Sequence, residues 1–256
     1  MITLEEIKRK YPYPASFDRS AFREYFQYKI LDILFSNGLA GKIAFLGGTA
    51  IKICHGSNRF SEDLDFDNFG LTEAEFVKAG ETIRDRLSLE GYEVEIKTVS
   101  KKALRCYVKI SHVLFDNRLS PLSNEKFNIQ IDTMPHNFVY TPEIFLLQKY
   151  EVFRRIAITP KDIVLSQKIA AVLGRKRAKG RDFYDIVYLR GITDFNYAYL
   201  TAKLGIRNSA ELKQALKRAI KDLDFKALVK DVLPFLINPE DQSYVLDFAR
   251  YIDQKL

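Results

Sequence analysis

The sequence predicts an α/β (α+β) chain: a mixed sheet flanked by helices, then a helical bundle. Three observations predict it. Apolar residues recur at helical spacing in residues 16–36 and 72–91. Short runs on either side of the second helix alternate apolar and polar with a period of two. Past about residue 140 helical spacing takes over. Interleaved helices and strands followed by helices alone place a sheet domain over 1–145, with its own N-terminal helix, and a helical domain over 146–256. The two meet at a seam near 140–158.

The elements follow in order. Phe22, Phe26, Ile30, Ile33 and Leu34 form one stripe of a helix that Asn37-Gly38 ends. "KIAFLGG" is a short buried strand running into a glycine turn, and "TAIKICHG" a two-turn helix closed by Gly56. "SEDLDFD" alternates as a strand. Thr72 and Glu75 make a capping box for the next helix, which Gly91 closes. "YEVEIKTVS", "ALRCYVKISHVL" and "KFNIQIDTM" are three further strands. In "TPKDIVLSQKIAAVLG", Thr159 reads as N-cap, Pro160 as first turn and Asp162 as the box acid. A basic connector, "RKRAKGR", precedes the helix "RDFYDIVYLRG", and helices continue to the end.

Composition narrows the classes. The chain has 256 residues, 47% of them hydrophobic, which suits a globular protein with a real core. No apolar run approaches the ~20 residues of a membrane span. "MITLEEIKRK" lacks the apolar stretch of a secretory signal, so a cytoplasmic location with Cys54 and Cys106 reduced is expected. Residues 1–150 hold 20 Lys+Arg and 20 Asp+Glu, so the net +7 falls wholly in residues 151–256. That asymmetry fits either a polyanionic partner or a well-solvated helical surface. His55, His112 and His136 show no metal-ligand spacing, and no Walker A, dinucleotide or Gly-x-Ser-x-Gly motif is present.

The chemistry concentrates in "FLGGTAIKICHGSNRFSEDLDFD". On a strand, Leu64 and Phe66 face the core while Asp63, Asp65 and Asp67 face away. "FNIQIDTM" repeats the arrangement, with Asp132 on its polar side. If the two strands are neighbours, Asp63, Asp65 and Asp132 meet, and clustered carboxylates call for a cation. Hard oxygen donors favour Mg2+ or Mn2+ over zinc. Asp67, at the strand end, reads as a solvated acid or a turn starter. Gly47 and Gly48 let backbone N–H groups approach a ligand, and Thr49 opens a helix whose first amides suit phosphate. Each piece alone is ordinary: a turn, a solvated strand end, a residue before Pro135. Together they are the equipment of phosphoryl or nucleotidyl transfer.

These residues resemble the AbiEii/AbiGii-type toxins of the polymerase-beta-like nucleotidyltransferase superfamily. Gly47, Gly48, Thr49 and Ala50, then Arg59, Ser61, Asp63, Leu64, Asp65 and Phe66, match its first motif; Thr49 stands where serine is commoner. Lys168, Asp182 and Asp185, in "QKIAAVLGRKRAKGRDFYDI", match its later lysine and Asp-x-x-Asp. The resemblance covers about residues 43–190. It implies a nucleotidyltransferase-type fold and a Mg2+-dependent transfer from an NTP. In it Asp63, Asp65 and Asp132 bind metal, with Asp132 a candidate base, and Lys168 and Asp182 complete the catalytic set. Gly47, Gly48, Thr49, Arg59, Ser61, Lys168 and Asp185 would contact the nucleotide. From the residues alone, Lys168 reads equally as a surface lysine, and Asp182 and Asp185 as dipole-favoured acids, Asp185 within reach of Arg181.

The resemblance further implies the toxin half of a toxin–antitoxin or phage-defence pair, controlled by an antitoxin with or without direct contact. Ser61 then becomes a place for inhibitory phosphorylation. Some relatives modify the tRNA 3′ end, and a basic C-terminal half agrees with RNA. Arg175, Lys176, Arg177, Lys179 and Arg181 form a candidate nucleic-acid contact, or simply an exposed connector. Two rival readings stand beside this one: transfer to a small molecule or protein hydroxyl, and a non-catalytic nucleotide-binding module.

Overall fold

A computed structural model describes residues 2–101 and 103–256. The chain divides into two compact units, Met1–Ala50 with Ser61–Ile158, and Ile51–Phe60 with Thr159–Leu256. The first unit carries α1 (Leu4–Lys10), α2 (Asp18–Ser36), β1 (Ile43–Leu46) and the start of α3 (Gly47–His55). It continues with β2 (Leu64–Asn68), α4 (Glu73–Leu89), β3 (Val94–Ser100), β4 (Leu104–Ile110), α5 (Val113–Asp116) and β5 (Phe127–Pro135). A hairpin of β6 (Glu143–Lys149) and β7 (Val152–Ile158) ends it.

These strands form one seven-stranded mixed sheet in the order β3-β4-β5-β2-β1-β7-β6. The β2–β5 and β1–β7 pairs are parallel and the rest antiparallel. One face is covered. Phe22, Phe26 and Ile30 of α2 are buried, with the Phe26 ring 5.8 Å from that of Phe127 on β5. On α4, Gly80 lies so close to β3 and β4 that a Cβ there would sit 3.1 Å from Ile96 and 3.3 Å from Cys106. The capping box Thr72/Glu75 forms at the head of α4.

Two expectations change here. Residues 143–158, read as the start of the helical region, are a β-hairpin. The turn sets φ at +54° for Tyr150 and +65° for Glu151. Tight hairpin turns of this hand normally carry Asn or Gly, so the usual sequence signal is absent. Asp67 is not solvated: it is 7% exposed, accepts from the Tyr140 hydroxyl at 2.6 Å and pairs with His136 Nδ1 at 2.9 Å.

The second unit holds α6 (Lys161–Gly174), α7 (Gly180–Arg190), α8 (Tyr197–Leu204), α9 (Ser209–Ile220), α10 (Phe225–Val232), α11 (Ser243–Leu246) and α12 (Phe248–Lys255). Asn196, Asn208 and Asp224 cap α8, α9 and α10 with their side chains. For α6 the N-cap is Pro160 without a side-chain bond, not Thr159, which lies buried one residue earlier. Helix α7 is central, and its Phe183 meets Phe248 at 4.8 Å and Phe225 at 5.7 Å. Residues 51–60 join this unit through Phe60 N–H donating to the Phe235 carbonyl at 2.8 Å and Ile237 N–H donating to that of Asn58 at 2.9 Å. Among the described residues no helix is long and apolar enough to cross a membrane.

Candidate active site

The first unit places its candidate residues along one row of the sheet. The register places Leu46 opposite Asp65, Asp65 opposite Asp132, and Asp132 opposite Arg105. Directly paired residues share a face, so two acids and an arginine stand side by side on the face away from the core. Leu46 runs straight into Gly47, where α3 begins. Gly47 has φ +81°, and a Cβ there would come within 3.0 Å of Asp65 Cβ and overlap its carboxylate. Only glycine meets both demands without strain. The missing side chain is what lets the turn close over Asp65.

Thr49 is fully buried, and its hydroxyl donates to the Asp63 backbone carbonyl. In this structure it fixes the entry to β2. Ser61 and Glu62 are held the same way, their carbonyls accepting from Gln27 Nε2 at 3.0 Å each. Behind them Arg23 has its pKa lowered by burial, opposed by the charges of Glu62 and Asp63. The acids are therefore presented from a backbone pinned at several points.

Asp132 is engaged on both oxygens. Arg105 Nε donates to Oδ1 at 2.7 Å and Gln130 Nε2 donates to Oδ2 at 2.7 Å. Arg105 is itself half-exposed, and its hydrogen bond to Asp132 leads the causes that raise its pKa. Among the described residues no three His, Cys, Asp or Glu side chains are grouped closely enough to hold a metal ion. The structure thus does not assemble Asp63, Asp65 and Asp132 as a three-carboxylate cage. The donor chemistry of Asp63 and Asp65, two carboxylates at the head of β2, suits a hard divalent ion such as Mg2+ or Mn2+. Their oxygens are hard donors, and Mg2+ usually takes its remaining ligands from phosphates and water.

The second unit gathers the later motif into a buried charge cluster. Arg59 is 1% exposed and grips Asp185 with both ends of its guanidinium, Nε to Oδ1 at 2.7 Å and Nη2 to Oδ2 at 2.6 Å. Lys168 Nζ lies 2.9 Å from Asp185 and 3.1 Å from Asp182. Arg175 Nη1 donates to Asp182 Oδ2 at 2.7 Å. Burial would lower the Lys168 pKa, but Asp185 and Asp182 raise it overall. Burial would raise that of Asp185, but Arg59 and Lys168 hold it below the ordinary carboxylate value. The partner of Asp185 is therefore Arg59, 126 residues away, not Arg181.

Arg181 instead lies over the Phe235 ring at 4.9 Å. Of the five connector cations, Lys176 and Arg177 are exposed, Lys179 half-exposed, and Arg175 committed to Asp182. Asp224 and Asp231 of the second unit line the same groove as Lys176, Arg177 and Lys179. Tyr184 is buried, with its ring stacked 5.4 Å from that of Tyr244. Sequence reading missed Arg105 and Gln130. The signal was available: Arg105, Tyr107 and Lys109 alternate on β4 as Asn128, Gln130 and Asp132 do on β5.

Residues 29–250 match a family model described as the nucleotidyl transferase AbiEii toxin of type IV toxin–antitoxin systems. No curated protein sequence matches. Among solved structures the chain is similar to MenT4, a nucleotidyltransferase toxin from Mycobacterium tuberculosis H37Rv. That likeness has a TM-score of 0.64 at 14% identity and covers 99% of this chain and 90% of that one. It is also similar to JHP933 from Helicobacter pylori, with a TM-score of 0.53 at 20% identity over 93% of each chain. A nucleotidyltransferase structure from H. pylori gives 0.52 at 20% identity, covering 90% of this chain and 95% of that one. At these identities the likeness shows the fold.

Proposed function

The chain belongs to the AbiEii family of nucleotidyl transferase toxins of type IV toxin–antitoxin systems, and we propose that it moves a nucleotide from an NTP to an RNA 3′ end such as that of tRNA. The observation that carries this reading is the row in which Asp65 and Asp132 are opposed on parallel neighbours, with the Gly47 turn closing on Asp65. A carboxylate beside a glycine turn at a helix start, and a second carboxylate one strand away, suit a triphosphate and an acceptor hydroxyl held side by side.

Each residue has a task in this scheme. Asp63 and Asp65 hold a divalent ion, and Gly47 and Gly48 present backbone N–H groups to phosphate. When bound, Mg2+ or Mn2+ neutralises the triphosphate and favours loss of pyrophosphate. Asp132 receives the proton of the acceptor hydroxyl on Oδ1. The deprotonated acceptor oxygen then bonds the α-phosphorus while the bond from the α-phosphorus to the pyrophosphate oxygen breaks. Lys168 supplies a cation to the triphosphate. Arg59, fully buried against Asp185, is a positioning residue that keeps the acid and Lys168 in place. Thr49 likewise positions Asp63. The antitoxin that the family implies restrains this activity.

The test is to incubate the purified protein with Mg2+, each labelled NTP in turn, and total tRNA. Label entering tRNA with one NTP, and lost without the metal or in Asp65→Ala, is the expected result. Label entering protein or a small molecule instead would reassign the acceptor.

A further inference from the structure

The face of the sheet that carries Asp65 and Asp132 continues outward over β5, β4 and β3, and its chemistry changes along the way. The register gives three rows: Val99–Arg105–Asp132, Lys97–Tyr107–Gln130 and Glu95–Lys109–Asn128. The opposite face of the same strands is the core, with Cys106, Val108, Ile110, Phe127, Ile129 and Ile131 buried. On the outer face Lys97 and Asn128 are exposed, and Arg105, Tyr107, Lys109 and Gln130 are part-exposed. An aromatic ring thus stands between two cations on one strand, Arg105 and Lys109, roughly 13 Å apart by strand rise. Glu95, the one acid in the outer two rows, is ion-paired with Lys126.

We propose that this face seats the single-stranded 3′ end of the acceptor, and that Arg105 is the residue coupling its arrival to Asp132. The inference rests on the proposed function and deepens it. Two cations bracketing an aromatic, with amide side chains alongside, match a strand whose phosphates need neutralising and whose unstacked bases need a platform. A duplex offers no free base face to Tyr107. The rows lead inward to Asp132, so a strand lying along them brings its terminal hydroxyl to the carboxylate that takes the proton.

Arg105 completes the link. It holds Asp132 through Nε alone, and its side chain is 43% exposed. An exposed pair of this kind is weak, and guanidinium binds phosphate at least as well as carboxylate. The last phosphate of the acceptor takes Arg105, and Asp132 Oδ1 is released to receive the hydroxyl proton. Without acceptor, Arg105 keeps that oxygen occupied, which discourages transfer to water.

The experiment measures polarisation of a fluorescein-labelled single-stranded RNA with a free 3′ hydroxyl, alongside a blunt duplex, on the full-length protein. Tyr107→Ala is expected to weaken single-strand binding about tenfold and to leave the duplex unchanged. Lys109→Ala should lower the slope of log K against log salt by about 0.7. Arg105→Ala should raise KM for RNA at least tenfold, with KM for NTP unchanged, and raise hydrolysis of NTP without acceptor; Arg105→Lys should recover part of the RNA affinity. These side chains lie outside the core, so thermal unfolding is expected to match the wild type and separates a contact from a folding defect. If RNA is labelled normally while all three variants bind it as wild type, the inference fails and the proposed function stands. If no RNA is bound or labelled, both fail.

Discussion

Asp185 is the residue on which the second unit's charges turn. It is fully buried, with Arg59 and Lys168 both leaning on it, their side chains 2% and 14% exposed. Removing Asp185 leaves the desolvated Arg59 guanidinium without its carboxylate and Lys168 with Asp182 alone. Asp185→Asn is therefore expected to cost roughly 3–5 kcal/mol, read as a lower urea midpoint at unchanged slope. A loss under about 1 kcal/mol would mean that the cluster is far wetter than its burial indicates. The direction with pH is set by the shifts. Asp185 is held below its ordinary 3.8, so its contribution is present above 3.8 and is lost as pH falls through the lower folded value. Lys168 is raised above 10.5, so its contribution is full below 10.5 and is lost as pH rises through the folded value. At this scale the sequence was only half legible. Motif spacing singles out Lys168 and Asp185, but nothing local reveals that the counter-ion is Arg59, because a contact across 126 residues leaves no periodic trace.

At the scale of elements, period-two alternation exposes a strand only when one of its faces is polar. β2, β4 and β5 meet that condition, and their patterns read cleanly. β6, "EIFLLQK", places apolar residues at consecutive positions and reads equally as helix. Its turn conceals it further, since Tyr150 and Glu151 occupy left-handed backbone without Gly or Asn. Tyr150 is compensated by burial, its ring 4.7 Å from Tyr11 and 5.3 Å from Tyr28. Glu151 is exposed, with only a 3.8 Å pair to Lys10. Its left-handed cost of about 1–2 kcal/mol exceeds the extra chain entropy of glycine, about 0.5–1 kcal/mol. Glu151→Gly is thus expected to stabilise the protein by about 0.5–1 kcal/mol, seen as a rise in Tm. A fall would show that the Glu151 side chain matters more than its backbone.

At the scale of the whole molecule, stability and chemistry respond to different groups. His55 is pushed down to about 4 by burial and then by Lys161. Between its ordinary 6.5 and about 4 the unfolded chain binds the extra proton, so stability is full above 6.5 and declines as pH drops. The slope is at most about 1.4 kcal/mol per pH unit, and His55→Gln should flatten it in equilibrium unfolding across that window; an unchanged slope would assign the acid sensitivity elsewhere. The fold class was legible from the alternation of elements, and the acids from their spacing. What the sequence concealed was pairing: that Asp132 is held by Arg105 and Gln130, and that three carboxylates are not grouped. Asp65 and Asp132 act as one unit across the β2–β5 pair in the proposed transfer. The most direct test is the rate of labelled-nucleotide transfer in Asp65→Asn, Asp132→Asn and the double variant, each with its unfolding temperature. Each single change is expected to cost at least about a hundredfold, and the double no more than the worse single, as for groups that work together. Transfer by Asp132→Asn at the wild-type rate, with the fold intact, would contradict it.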